Sequence, residues 1–201
     1  GDGGDENFAG YTRYAAFQVS NLLDHFDFLN RITGKPLTKF LARNIRNTFF
    51  DRLHRFSNSL SDDYRRRYLS YTAYFTNEQK AELYTDEFKK KVWSKDTYDI
   101  IASHFLESRS KNRTEQAVYA DIATYLPEDL LAKVDIATMA VALEGRSPFL
   151  DHELLELTAK IPFALKLKGF NNKKYILKET LRGIVPDEIL FRPKMGFGVP
   201  I

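Results

Sequence analysis

From Leu37 to Phe56 the apolar residues Leu37, Phe40, Leu41, Ile45, Phe49, Leu53 and Phe56 return every three or four positions, the spacing of one stripe along an α-helix. Thr76-Asn77-Glu78-Gln79 has the form of a capping box, which starts another helix at residue 77. Ser61 is placed to cap a helix running through Arg66 and Tyr71, and a further helix is predicted from near Thr97 to about Leu106. Polar residues between Lys111 and Thr114 predict a loop ahead of the helix that holds Ala117 to Tyr125.

Downstream, Pro127 stands before Glu128-Asp129, a helix-compatible proline followed by an acidic first turn. The segment that follows carries Leu130, Leu131, Val134, Met139 and the run Val141 to Leu143. Apolar over much of its surface, it is expected to be a buried central helix, stopped by Gly145 and Pro148. Asp151 can cap the next helix and Pro162 ends it, while Asn172 to Leu181 reads as a short helix closed by Gly183 and Pro186. No run of alternating β-branched residues, internal repeat or low-complexity tract interrupts this pattern, so the chain is expected to be mainly α.

Composition narrows the class. With 201 residues and 43% hydrophobic content the chain can bury a core and fits a single domain, residues 1–201. It has no cysteine, which excludes disulfides, thiolate metal sites and a thiol nucleophile within these residues. No apolar run approaches the roughly 18 residues of a membrane span and no leader pattern is visible, so the expected setting is cytoplasmic and free of membrane. A formal net charge of +3 supplies no domain-wide basic field of the kind that steers nucleic acid.

Two local runs still recommend a nucleic-acid reading: Arg65-Arg66-Arg67 among Tyr64, Tyr68, Tyr71 and Tyr74, and Lys89-Lys90-Lys91 beside Phe88 and Trp93. The tyrosines fall at helical spacing, so a core-facing stripe with arginines on the wet face explains them with less, and nucleic acid is not expected as a partner. His25, His54, His104 and His152 show no metal-ligand spacing.

The opening Gly1-Asp2-Gly3-Gly4-Asp5-Glu6 holds three glycines and three acids ahead of Asn7-Phe8-Ala9-Gly10-Tyr11. Glycines permit positive φ and close approach of a ligand to the backbone, and successive amides before a helix can form an anion-binding nest. Asp2 and Asp5, three residues apart, can present carboxylates on one side of such a turn, which suits a hydrated Mg²⁺ that also takes phosphate oxygens. A solvated terminus with Asp5 as an ordinary N-cap is the plainer alternative. The start in mid-motif, without methionine, points to a segment of a longer polypeptide.

A series of motifs follows in the second half: Leu126-Pro127-Glu128-Asp129-Leu130-Leu131-Ala132-Lys133-Val134-Asp135 leading to Met139, then Leu143-Glu144-Gly145-Arg146-Ser147-Pro148-Phe149-Leu150-Asp151, Asn172-Lys173-Lys174-Tyr175-Ile176-Leu177, and Arg192-Pro193-Lys194-Met195-Gly196-Phe197-Gly198-Val199-Pro200. With the opening motif, these resemble the synthetase domain of glutamine-hydrolysing asparagine synthetases over residues 1 to 16 and 126 to 200, in the family's order.

The resemblance implies a fold: the helical C-terminal portion of an ATP-pyrophosphatase-type, adenine nucleotide alpha hydrolase-like α/β synthetase domain. It also implies ATP and Mg²⁺ as cofactors, with aspartate adenylated on its side-chain carboxylate and then amidated by ammonia from glutamine. By the same resemblance Asp2, where many relatives carry glutamate, positions substrate and handles a proton; Asp5 binds Mg²⁺; and Lys174 is the catalytic lysine. Gly1, Gly3, Gly4, Arg146 and Lys194 are matched to substrate or phosphate binding, with Arg146 equally suited to pairing with Glu144 or Asp151. Asp135 is expected to be buried and to need a partner, Lys133 or a backbone donor.

The family's Ser-Gly-Gly-x-Asp-Ser pyrophosphate loop, its adenine-binding strands and the cysteine that hydrolyses glutamine are not among these residues, so the chain alone is expected to be inactive. A homodimer is one assembly expected of the full-length enzyme. Two other readings remain at this stage: a same-scaffold amidotransferase acting on a sugar acid or forming a lactam, and a helical interaction module without chemistry.

Overall fold

A computed structural model describes residues 1–24, 63–92 and 96–192. Within them helices α1 (Gly4–Asn7), α2 (Thr12–Leu23), α3 (Tyr64–Thr72), α4 (Asn77–Leu83), α5 (Asp86–Val92), α6 (Thr97–Glu107) and α7 (Arg113–Ala123) follow one another. A π-helical turn, Leu126–Leu131, runs directly into α8 (Ala132–Met139). After a 3-10 turn at Pro148–Leu150 come α9 (His152–Lys160) and α10 (Phe163–Lys166), and α11 (Tyr175–Leu181) and α12 (Asp187–Leu190) close the order. The predicted helix over 37–56 lies outside the described residues, as do His25, His54, Trp93 and Lys194.

The helix starts obey local chemistry. Thr76 Oγ1 accepts from the Gln79 amide at 3.2 Å while the Thr76 amide donates to Gln79 Oε1 at 2.9 Å, the reciprocal arrangement of a capping box. Asp63, Asp96, Asn112 and Asp151 cap α3, α6, α7 and α9 through their side-chain oxygens. Three boundaries differ from the sequence reading: α3 is capped by Asp63, with Ser61 outside the described residues; α7 begins at Arg113 because Asn112 caps it; and Asn172-Lys173 is not helical. Asn172–Lys173 (β2) instead pairs antiparallel with Leu167–Lys168 (β1), across a turn in which Gly169 takes φ 64°. This two-residue hairpin postpones α11 to Tyr175.

The core lies where α2 crosses α3, α6 and α7. Phe17 is fully buried and meets Tyr68 and Phe105 edge-on, with ring centroids 5.1 and 6.3 Å apart. Ala117 and Ala120 let α7 approach this aromatic cluster, and Phe163 and Leu167 extend it toward α10 and β1.

Two acids, Asp121 and Asp24, gather polar groups inside the core. Asp121 accepts from the hydroxyls of Tyr14 and Tyr68 and from Arg13 Nη2 at 2.7 Å. The Arg13 guanidinium in turn lies over the rings of Tyr11 and Tyr125, 3.9 and 4.8 Å from their centroids. Burial pushes the Tyr14 and Tyr68 hydroxyls well above the usual phenol range, so both remain donors to Asp121. Asp24 takes Arg67 at 2.7 Å and Arg113 at 2.8 Å, tying the end of α2 to α3 and α7.

Three sequence expectations are corrected here. Arg67 is buried rather than on a wet face, because Asp24 supplies its counter-charge inside. The segment expected to be a buried central helix is not buried: Ile136, Met139, Val141 and Leu143 are all exposed, and no residue of α8 is fully enclosed. Apolar content alone marks a face that can be covered, and among the described residues nothing covers this one. Asp135 is exposed too, and Lys133 pairs with Asp129 at 3.0 Å, one helical turn away, instead of with Asp135.

Candidate active site

The opening glycine turn is built into place by the 3-10 turn at Pro148–Leu150. Ser147 Oγ donates to the carbonyl of Asp2 at 2.7 Å, Asn7 Nδ2 donates to the carbonyl of Phe149 at 2.6 Å, and the Phe149 ring meets Phe8 edge-on at 5.9 Å. A Cβ on Gly1 would stand 2.8 Å from Phe149, and one on Gly3 would stand 2.4 Å from Leu150, with φ at Gly3 already +81°. These glycines therefore have a packing reason that their sequence pattern did not reveal: the Phe149-Leu150 pair sits on the bare backbone they leave.

Anchored this way, α1 carries Asp5 toward Lys174. The Lys174 amine lies 2.9 Å from Asp5 Oδ1, with both side chains partly exposed. Lys174 reaches this position from an unusual backbone. It is the N-cap of α11 in the left-handed region, φ 55° and ψ 34°, and its amide donates to the carbonyl of Phe8 at 3.1 Å. The hairpin turn before it and the helix after it thus meet at a residue that faces the opening turn.

Around the pair is an open cleft of about 790 Å³, lined by Asp5, Gly10, Lys173, Lys174, Lys178 and Arg192 together with Asn171 and the apolar Ile189, Leu190 and Phe191. Four cations and one carboxylate give it a net positive lining suited to a polyanion. Lys173 is also engaged elsewhere, donating to Thr12 Oγ1 at 2.9 Å. Lys178 stands one helical turn beyond Lys174, a spacing already visible in the sequence, whereas the contribution of Arg192 had no local signal.

Asp2 lines a second recess of about 390 Å³ with Asp135, Arg146 and Ser147, over an apolar floor that includes Leu131 and Val134. Asp5 is not among the residues lining it. Arg146 makes paired 3.0 Å contacts from Nε and Nη2 to the two carboxylate oxygens of Glu144, and both side chains are largely exposed. Of the two pairings open to Arg146, the structure adopts the one with Glu144.

Glu6, next to Asp5, is buried, and it accepts from the Tyr11 hydroxyl at 2.7 Å. Burial raises the Glu6 carboxyl above the ordinary glutamate range, against the opposing pull of that hydrogen bond. The same burial, reinforced by the Glu6 bond, pushes the Tyr11 phenol far up. Among the described residues no group of three or more His, Asp or Glu side chains is placed to hold a metal ion by itself. No helix among them is long and apolar enough to cross a membrane.

Residues 1–201, the whole chain, match the family model described as asparagine synthase. The chain belongs to the asparagine synthase family. A curated relative in this family, asparagine synthetase (glutamine-hydrolysing) 1 of Bacillus subtilis, is 43% identical over 103 residues, 51% of this chain and 16% of the relative. A Mycobacterium bovis protein provisionally named glutamine-hydrolysing asparagine synthetase is 35% identical over 205 residues, covering 100% of this chain and 29% of its own length. The human asparagine synthetase (glutamine-hydrolysing) is 36% identical over 67 residues, 32% of this chain and 12% of the relative. The chain thus spans less than a third of the length of these synthetases. No solved structure matches it.

Proposed function

We propose that this chain forms part of the active site of an ATP-dependent amidotransferase that adenylates the side-chain carboxylate of aspartate and passes the acyl group to ammonia derived from glutamine, giving asparagine. The observation that carries the reading is the Asp5–Lys174 pair, 2.9 Å apart in a cleft lined by further cations. In this reading the chain is the helical C-terminal portion of an ATP-pyrophosphatase-type domain, with the nucleotide-binding strands and the glutaminase domain supplied by other parts of a cytoplasmic, homodimeric enzyme.

Each residue then has a chemical task. Lys174 places a point charge where pyrophosphate departs, an electrostatic contribution of about 3 kcal/mol in a preorganised site. Asp5 fits Mg²⁺ as a single carboxylate ligand, because Mg²⁺ usually keeps water and takes its remaining oxygens from phosphate rather than from an all-protein cage. When bound, Mg²⁺ would neutralise charge building on the leaving group. Asp2, in the neighbouring recess, accepts the proton that ammonia loses as it forms the amide bond and expels AMP. Gly1, Gly3 and Gly4 hold the two acids on one short turn, while Arg146 and Lys194 remain proposed contacts to substrate or phosphate.

The test is isotope exchange between ATP and pyrophosphate in the enzyme that contains these residues, with aspartate and with other carboxylates as acceptors. Exchange that requires aspartate and falls on the order of 100-fold in Lys174→Ala is the expected result. Exchange with a sugar acid or lactam precursor but not aspartate would transfer the chemistry to a different acceptor. No exchange with any carboxylate would overturn the reading.

A further inference from the structure

We propose that Gly10 is a positioning residue for the Asp5–Lys174 pair: the absence of a side chain at position 10 creates the slot through which the two charged groups meet. A Cβ built on Gly10 would lie 1.9 Å from Asp5 Oδ1 and 2.4 Å from Lys174 Cε, and 2.9 Å from Asp5 Cγ. These are the ends of the two paired side chains, arriving from opposite ends of the chain and crossing over the same Cα. Gly10 also lines the cleft itself.

Backbone conformation does not explain the glycine. The glycines with positive φ among the described residues are Gly3, Gly169 and Gly183, and Gly10 is not one of them. A left-handed backbone is therefore not what calls for glycine here, and what the position excludes is volume. The Gly10 amide donates to the Asp5 carbonyl at 2.7 Å and closes the turn on itself, leaving the backbone little room to retreat from an added methyl group. The lysine backbone is held as well, its amide donating to the Phe8 carbonyl at 3.1 Å, so any yielding falls on the side chains. A methyl group at position 10 must therefore displace the carboxylate, the lysine stem, or both, while leaving both charges in the protein.

For the chemistry, the inference rests on the function proposed above: Gly10 sets the spacing between the group assigned to Mg²⁺ and the group assigned to pyrophosphate. The geometric claim stands apart from it and is tested apart from it. Gly10→Ala is compared with Asp5→Ala/Lys174→Ala, with and without Gly10→Ala, by thermal unfolding of the 201-residue chain. The expected result is a loss of about 2–4 °C in Tm from Gly10→Ala in the native background and almost none in the Asp5→Ala/Lys174→Ala background, where the colliding atoms are gone. A variant that folds only in the second background supports the inference in the same way. Equal losses in both backgrounds, or failure to fold in both, would overturn it.

Acylation of lysines by a small amine-reactive activated ester, which transfers its acyl group to the lysine amine and releases its alcohol leaving group, read residue by residue by peptide mass spectrometry, supplies the readout that general destabilisation would not move. Folded Gly10→Ala is expected to label several-fold faster at Lys174, to the level seen in Asp5→Asn, with Lys178 unchanged. An unchanged Lys174 rate would overturn the positioning role. If Gly10→Ala labels as expected but the enclosing enzyme shows no aspartate-dependent exchange, the functional reading fails while the role of Gly10 in the pair survives.

Discussion

The amide of Lys174 donates to the carbonyl of Phe8 at 3.1 Å, so this lysine is tied to the opening turn by its main chain as well as through its amine on Asp5. Two attachments at one residue make the contact between the N-terminal turn and the α11 segment a local joint. Both side chains are partly exposed, which limits the ion pair's own energetic share. A double-mutant cycle on Asp5→Asn and Lys174→Met, followed by denaturant unfolding, should give a coupling energy of about 0.5–1 kcal/mol. A coupling indistinguishable from zero would mean that the main-chain bond alone holds the joint.

The Asp121 site differs because its charge is enclosed. One carboxylate receives two phenols and a guanidinium, so removing it strands three donors. Asp121→Ala should lower stability by about 3–5 kcal/mol, the range for breaking a buried pair from one side. Asp121→Asn, which keeps the shape, should cost less. Urea unfolding followed by tyrosine fluorescence measures both, and equal stability of the alanine variant and the native chain would refute the account.

Glu6 makes stability depend on pH with a definite sign. Its folded carboxyl titrates above the ordinary glutamate value of 4.5. The folded state therefore holds the proton more tightly, and the associated stability is fully present below the unfolded value and lost as pH rises through the raised folded value. Glu6→Gln retains an acceptor for Tyr11 and cannot ionise. The difference in unfolding free energy between Glu6→Gln and the native chain should shift in favour of the variant as pH climbs above about 4.5. A flat difference from pH 4 to 8 would contradict it.

Gly3 offers a fourth check. Alanine there must occupy a left-handed conformation and meet Leu150 Cδ2 at 2.4 Å. Gly3→Ala should destabilise the chain by roughly 1–3 kcal/mol, and adding Leu150→Ala should recover the steric part while leaving the backbone part. Full additivity in the double variant would show that Leu150 is not the obstacle.

How much of this was written locally in the sequence depended on how far apart the partners lie. The capping box at Thr76, the Asp151 cap and the proline-led turn at 127 involve residues within a few positions of one another, and all three appear as read. Arg67 could not be told from Arg65 or Arg66 in a run of three arginines, because the acid that draws it inward is 43 positions away. The exposed α8 failed for a related reason: periodicity identifies an apolar face but not what covers it. For the candidate site, the Asp5–Lys174 contact has no local pattern and was legible only through motifs that recur in the family's order. Gly10 stood inside one of those motifs unnoticed, since a missing side chain acquires meaning only when the atoms filling its place are known.

Lys174 pays a conformational penalty for its place: a non-glycine residue at φ 55° costs roughly 1–3 kcal/mol. Glycine at 174 would relieve that strain, so a screen for yield or thermal resistance should favour a substitution that also deletes the amine paired with Asp5. Selection for solubility and selection for turnover would then pull this codon in opposite directions, and a library sorted only for well-behaved protein would enrich inert clones.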